Sequence, residues 1–228
     1  MKLLHLKIAC YLYNQFTDYD KKYLEFSRVY KNLNINKKKH IVALVQWLRA
    51  WGCRQFKTKN EDISISNIKK WYKANKSKIP AMNQHLISYN ISKNEKSIAV
   101  IFDNLSKIKV ANRERKLETS EVHVGPVGAA KILFALRPNL FAPWDKSIYE
   151  HFEFKGNGID YVQYLTQIKK ELMSIRKEFI RKKMKWVNLF RYLEKEHRSY
   201  PKLIDEFYWI EITNKCEPEK IINKIYQK

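Results

Sequence analysis

The residues with the most chemical content lie between Val124 and Asp145. Two of the five glycines and three of the six prolines of the chain fall between Gly125 and Pro143. Val124-Gly125-Pro126-Val127-Gly128 places small residues at a sharp reversal and opens into the apolar run Ala129-Ala130-Lys131-Ile132-Leu133. Glycine permits close backbone approach. The free amides of a helix start, with the helix dipole and Lys131, suit a phosphate oxygen without reading any base. A plain interhelical turn is the competing reading. Downstream, Pro138-Asn139-Leu140-Phe141-Ala142-Pro143 leads to Trp144-Asp145. A carboxylate there can stabilise developing positive charge and orient or deprotonate a water. Asp145 equally suits the N-cap of a helix starting Lys146-Ser147-Ile148-Tyr149.

The elements that must position these residues read as helices. Five glycines and six prolines in 228 residues leave few turns. Apolar residues recur at helical spacing in Leu3 to Phe16, Tyr23 to Leu33 and Ile41 to Trp51. Further helices are predicted over Ile65 to Tyr72, Met82 to Tyr89, Lys93 to Lys107, Ile132 to Leu136, Lys146 to Phe152, Ile159 to Phe179, Trp186 to His197 and Leu203 to Ile210. The fold class expected is all-α. Two polar stretches, Phe56 to Ser64 and Lys109 to Leu117, read as connections, and the second would join approximate lobes 1–110 and 111–228, with the C-terminal helices packing back on the first lobe. Thr119 or Ser120 would cap a short helix leading to Val124.

Charge sets the partner class. Lysine and arginine number 45 against 23 acidic residues, a formal charge of +22, which calls for a polyanion, unless the chain is merely basic. No apolar run approaches the roughly 18 residues that span a bilayer, so no membrane partner is expected. The charge run from Lys169 to Arg198 is expected to face solvent. Cys10, Cys53 and Cys216 are scattered and odd in number, so a reduced, cytoplasmic protein without zinc or an iron-sulfur cluster is expected.

The segment from Val124 to Asp145 resembles the helix-hairpin-helix element of the endonuclease III-like DNA glycosylase superfamily. The family hairpin reads Leu-Pro-Gly-Val-Gly and is followed by a helix, a loop rich in glycine and proline, and a catalytic aspartate. Here glycine and proline are exchanged in order and the spacing is compact. Direct motif coverage is about residues 119 to 150. Trp47-Leu48-Arg49-Ala50-Trp51-Gly52-Cys53-Arg54 adds a looser likeness to uncharacterised bacterial members.

The resemblance implies two helical lobes around a cleft, with double-stranded DNA gripped at residues 124 to 128 and a base flipped towards Asp145. Asp145 would stabilise the positive charge that grows on the sugar as an N-glycosidic bond breaks. A lysine nucleophile, where the family has one, stands second after the last hairpin glycine, which here is Ala130. Lys131 stays a catalytic candidate and phosphate contact, although one helical step turns its side chain by about 100° and points it elsewhere. Water attack without strand cutting is therefore expected. Trp47, Trp51, Trp71, Trp144 and Trp209 are candidate pocket walls, or simply core. Arg54 and Gln55 would read a base or bind phosphate, and Asn83, Gln84 or His85 would fill the hole left in the duplex. His123 reads as a structural or phosphate-side residue, and Asp205-Glu206 as helix-capping. The expected substrate is a damaged base or, ranked ahead, a hypermodified phage base such as glucosylated hydroxymethylcytosine. The alternatives are a non-catalytic DNA-binding module and an RNA-binding protein.

Overall fold

The structure is a computed structural model that describes residues 1–115 and 118–221. Five helices come first: α1 (Leu3–Phe16), α2 (Tyr19–Val29), α3 (Lys38–Ala50), α4 (Glu61–Asn75) and α5 (Ile91–Ser106). Two antiparallel strands follow, β1 (Lys109–Arg115) and β2 (Glu118–His123). The rest is helical again: α6 (Gly125–Leu136), α7 (Lys146–His151), α8 (Gly158–Arg181), α9 (Leu189–Tyr192) and α10 (Tyr200–Tyr208), which runs on into a π-helical turn at Trp209–Thr213.

The helices form where the apolar spacing is clearest. α1 buries Leu3, Leu6, Cys10 and Tyr13 along one stripe and packs on α10. α6 differs in kind: every residue from Gly128 to Leu136 is buried. A helix apolar all round belongs at the centre of a core, and α6 is wedged against α3 and α5. One cluster of buried apolar side chains extends from Leu3 to Ile210. Among the described residues no helix is long and apolar enough to cross a membrane.

The architecture is thus mostly helical, with one departure. The expected connection at Lys109 to Leu117 is strand β1 over its first seven residues, while Lys116 and Leu117 lie outside the described residues. Composition misled here because Asn112-Arg113-Glu114 bonds through its backbone to β2 and leaves its side chains largely in solvent. The strand is anchored at its start, where Val110 is buried and its carbonyl accepts from Ser64 Oγ at 2.8 Å. Thr119 and Ser120 therefore lie in β2 and cap no helix, so the chain enters Val124 from a strand.

Two predicted helices are also absent. Residues 82–89 form successive turns, held by Leu86 N–H donating to Asn139 O at 2.9 Å. Trp186 to His197 breaks into a 3-10 turn and the four-residue α9, ended by Glu194 at φ 56°.

The start of α8 is set by sterics. Asn157 Oδ1 accepts from Asp160 N–H in a capping box, and Gly158 follows where α8 meets α5. A Cβ at Gly158 would lie 2.2 Å from the Ala99 carbonyl oxygen, backbone that cannot swing aside. Gly158→Ala is expected to cost about 1–3 kcal/mol or more, read as a lowered denaturant midpoint. An unchanged midpoint would show that the two helices part freely.

Candidate active site

The glycine turn is held from three sides. Gly125 has φ +68°, a conformation that favours glycine, and nothing lies within 4 Å of where its Cβ would be. The turn is braced below by Gln55, whose Nε2 donates to Val124 O at 2.6 Å. A Cβ on Gly128 would lie 2.8 Å from that Nε2, so glycine there makes room for the brace. Trp144 Nε1 donates to Pro126 O at 3.1 Å, and the Gly156 backbone packs beneath Pro126. Pro126 at the helix start carries no N–H to lose.

One and a half turns into α6 stands Lys131, the single charged residue of that helix. Its ammonium donates to Asp145 Oδ1 at 2.9 Å and to Trp51 O at 2.9 Å, and lies 5.3 Å from the centre of the Trp51 ring. Lys131 therefore faces Asp145, contrary to the expectation that it points elsewhere. The lysine side chain is 7% exposed and the aspartate 28%, so only the carboxylate reaches solvent. Asp145 does occupy the N-cap position of α7, but its side chain caps nothing. Its carbonyl accepts from the amides of Ile148 and Tyr149 instead. Burial disfavours the Lys131 ammonium, yet the Asp145 carboxylate outweighs this and holds its pKa above the ordinary lysine value. Next to it, burial pushes the Cys53 thiol up to about 11. Neither group is poised as a nucleophile, since both remain protonated near neutral pH.

Behind the pair lies a cluster of buried charges that no local pattern announced. Lys195 Nζ bonds Asp20 Oδ2 at 2.8 Å and Glu206 Oε2 at 2.7 Å. Lys202 Nζ bonds both carboxylates as well, and His197 Nε2 meets Glu206 Oε1 at 2.9 Å. Asp20, His197 and Glu206 bring oxygen and nitrogen atoms within 4.8 Å of one another, in the manner of a metal site. Two ammonium groups already balance the two carboxylates there, so the arrangement is an ion-pair network. Burial favours the neutral Glu206 carboxyl, but the Lys195 and Lys202 ammonium groups, with the His197 ring beside them, outweigh it and hold the carboxyl well below its usual value. Asp205 behaves oppositely: burial first, then the negative charge of Asp145, pushes its carboxyl well above the ordinary range. The expected capping role of Asp205-Glu206 is taken by Ser199, whose Oγ accepts from Lys202 N–H.

The other predicted residues are dispersed. Trp47, Trp51, Trp71 and Trp144 are packed in the core, Trp47 stacked on Phe26 and Trp51 on Phe134. Trp209 is half-buried, edge-on to Tyr13. Arg54 is exposed beside half-buried Gln55. Asn83, Gln84 and His85 sit on the turn that Arg137 fastens through Pro80 O, at the C-terminal end of α6. A twelve-residue helix is about 18 Å long, so that turn is remote from the glycines. His123 is exposed and 3.5 Å from Glu121. Comparison of the chain with protein-family models, curated proteins and solved structures returns no match.

The opposed carboxyl groups make the pH response of stability informative. A raised carboxyl contributes stability that is complete below its unfolded value, 3.8, and is lost as pH rises towards the folded value. Asp205→Asn removes that loss. The stability gap between variant and wild type is therefore expected to move steadily in favour of the variant as pH rises above about 4. A gap independent of pH would show that Asp205 ionises normally.

Proposed function

We propose that this protein is a DNA N-glycosylase that releases a modified base by water attack assisted by Asp145 and leaves an abasic site. The observation that carries this reading is the Lys131–Asp145 pair: a partly exposed carboxylate, bonded at 2.9 Å to a buried ammonium and not spent on capping its own helix. Breaking an N-glycosidic bond puts positive charge on the sugar. A fixed carboxylate stabilises that charge and orients the water that attacks it. Lys131, kept protonated, serves as a positioning residue. It does not supply the free amine that a Schiff base with the sugar would need.

Backbone gripping falls to the Gly125 turn and the first amides of α6. The likeness to the family element is confined to the hairpin and the helix after it, because β2 stands where the family's first helix would be. The core position of Trp51 makes it the support beneath Lys131, and the wall for an extruded base is left to other residues. A hypermodified phage base stays ahead of a simple alkylated purine among the substrates on the strength of the sequence resemblance alone. The second reading, a DNA-binding protein without chemistry, draws on the same pair, since Lys131 and Asp145 already satisfy each other.

Asp145→Asn separates the two readings, with an amide oxygen still able to accept from Lys131. Bases released from normal, alkylated, oxidised and glucosylated hydroxymethylcytosine DNA are measured by mass spectrometry. Wild type is expected to release one of them, and the variant to do so at least about 100-fold more slowly with duplex affinity retained. Equal rates would remove Asp145 from the mechanism, and no release from any DNA would favour the binding module. Borohydride is expected to trap no covalent adduct with wild type. A trapped adduct lost in Lys131→Gln would reinstate the lysine as nucleophile.

A further inference from the structure

A groove of about 830 Å³ lies between the loop after α3 and the β1–β2 hairpin, with Ala111 to Glu114 of β1 and Val122 of β2 in its lining. Arg54, Lys57 and Lys59 rise from the loop and Arg113 from the strand, against one carboxylate, Glu114. All four cations are exposed. Lys59 is 3.6 Å from Glu114, and among the described residues Arg54, Lys57 and Arg113 make no ion pair within 4 Å. The cross-strand neighbours Ala111 and Val122 give the groove an apolar floor.

The loop that carries these charges has an anchored backbone. Cys53, Phe56 and Asn60 are buried between the exposed cations. Successive backbone bonds, Phe56 N–H to Cys53 O and Asn60 N–H to Lys57 O, close it into tight turns, and Arg49 bonds Glu61 just beyond at 2.6 Å. Gln55 lines the groove and is also the brace under Val124. The groove and the Gly125 turn are thereby linked through one side chain.

We infer that this groove carries the phosphodiester backbone of duplex DNA next to the Gly125 turn, with the β1–β2 hairpin as one wall. Charge complementarity selects the occupant: four cations over an apolar floor match a line of phosphates joined by sugars. An acidic peptide lying in the groove would use the same cations, and the experiment tells the two apart. This inference rests on the DNA-binding half of the proposed function and is independent of base release.

The triple variant Arg54→Ala/Lys57→Ala/Arg113→Ala alters exposed side chains only. Its affinity for a labelled duplex, measured by fluorescence anisotropy across a salt series, is compared with wild type and with the control Lys177→Ala/Lys182→Ala/Lys183→Ala at the end of α8 and just beyond it. Each lost phosphate contact reduces the slope of log affinity against log salt by about 0.9. The groove triple is expected to reduce it by about 2 to 3, the control by less than about 1. Bound duplex should also shield Arg54, Lys57 and Arg113 of the wild-type protein from trypsin. Equal slope changes in the two triples, no shielding, no duplex binding by wild type, or stronger shielding by poly-glutamate than by DNA would each overturn the assignment. Failure here with base release and its Asp145 dependence intact would leave the glycosylase reading standing. Loss of that reading with the slopes as expected would leave the groove standing.

Discussion

An ammonium in the middle of an otherwise apolar, fully buried helix is the constraint on which the rest depends. Removing the Lys131 charge from water carries a penalty of several kcal/mol unless partners replace its hydration. The chain provides them from positions 80 and 14 residues away, the Trp51 carbonyl and the Asp145 carboxylate. The end of α3, the centre of α6 and the start of α7 must therefore converge on one point. Trp144, immediately before Asp145, is itself buried and bonded to the Pro126 carbonyl. The aspartate is thus placed by the core on both its side-chain and its backbone flanks. A carboxylate that must act on a developing charge gains most from such a fixed position, because no reorganisation is needed when the charge appears.

The Trp51 ring extends this constraint to the C-terminal part of the chain. Lys131 lies 5.3 Å from its centre and Lys202 lies 6.0 Å from it, so one aromatic ring sits between the two buried ionic sites. Lys202 belongs to the network that ties Asp20 of α2 to Lys195 and to Glu206 of α10. Networks of this kind add little net stability over apolar packing, but separating one member costs about 3–5 kcal/mol. They penalise every arrangement in which α2 and α10 drift apart. Asp205 is the group caught between, close enough to feel Asp145, Lys131 and Lys202 at once. Its suppressed ionisation follows from the core having no further cation to give it.

Much of the site was legible because it is local in sequence. The glycines, Lys131 and Asp145 all fall within 21 residues, and a turn, a helix start and a loop-borne carboxylate each leave a compositional trace. What composition could not give was the direction of Lys131, since a helix places side chains by angle and the angle depends on where the helix begins. The buried network was illegible for a different reason. Its bonded partners are separated by up to 182 residues, and Lys195 is hidden in a lysine-rich run that as a whole does face water. Lys202 and Glu206 carry the one faint signal, opposite charges four apart within an apolar helix. The β-hairpin was lost because Asn112-Arg113-Glu114 is polar on both faces, so period-two alternation never appears. Pattern reading detects a buried face, and this hairpin buries little beyond Val110 and Ala111.

The placement of charge gives the composition its meaning. In the interior, Lys131 faces Asp145, and Lys195 and Lys202 face Asp20 and Glu206, so the buried ionic sites are balanced among themselves. The surplus of +22 must then lie at the surface, where it acts over roughly a Debye length and attracts any polyanion without orienting it. Orientation needs charges on a backbone held in place, and the short loop after α3 offers that, with Cys53, Phe56 and Asn60 sunk into the core between its exposed cations. The Trp51 carbonyl that Lys131 bonds stands immediately before that loop, which begins at Gly52. Site and groove thus meet at the end of α3, where the buried ammonium takes one of its partners.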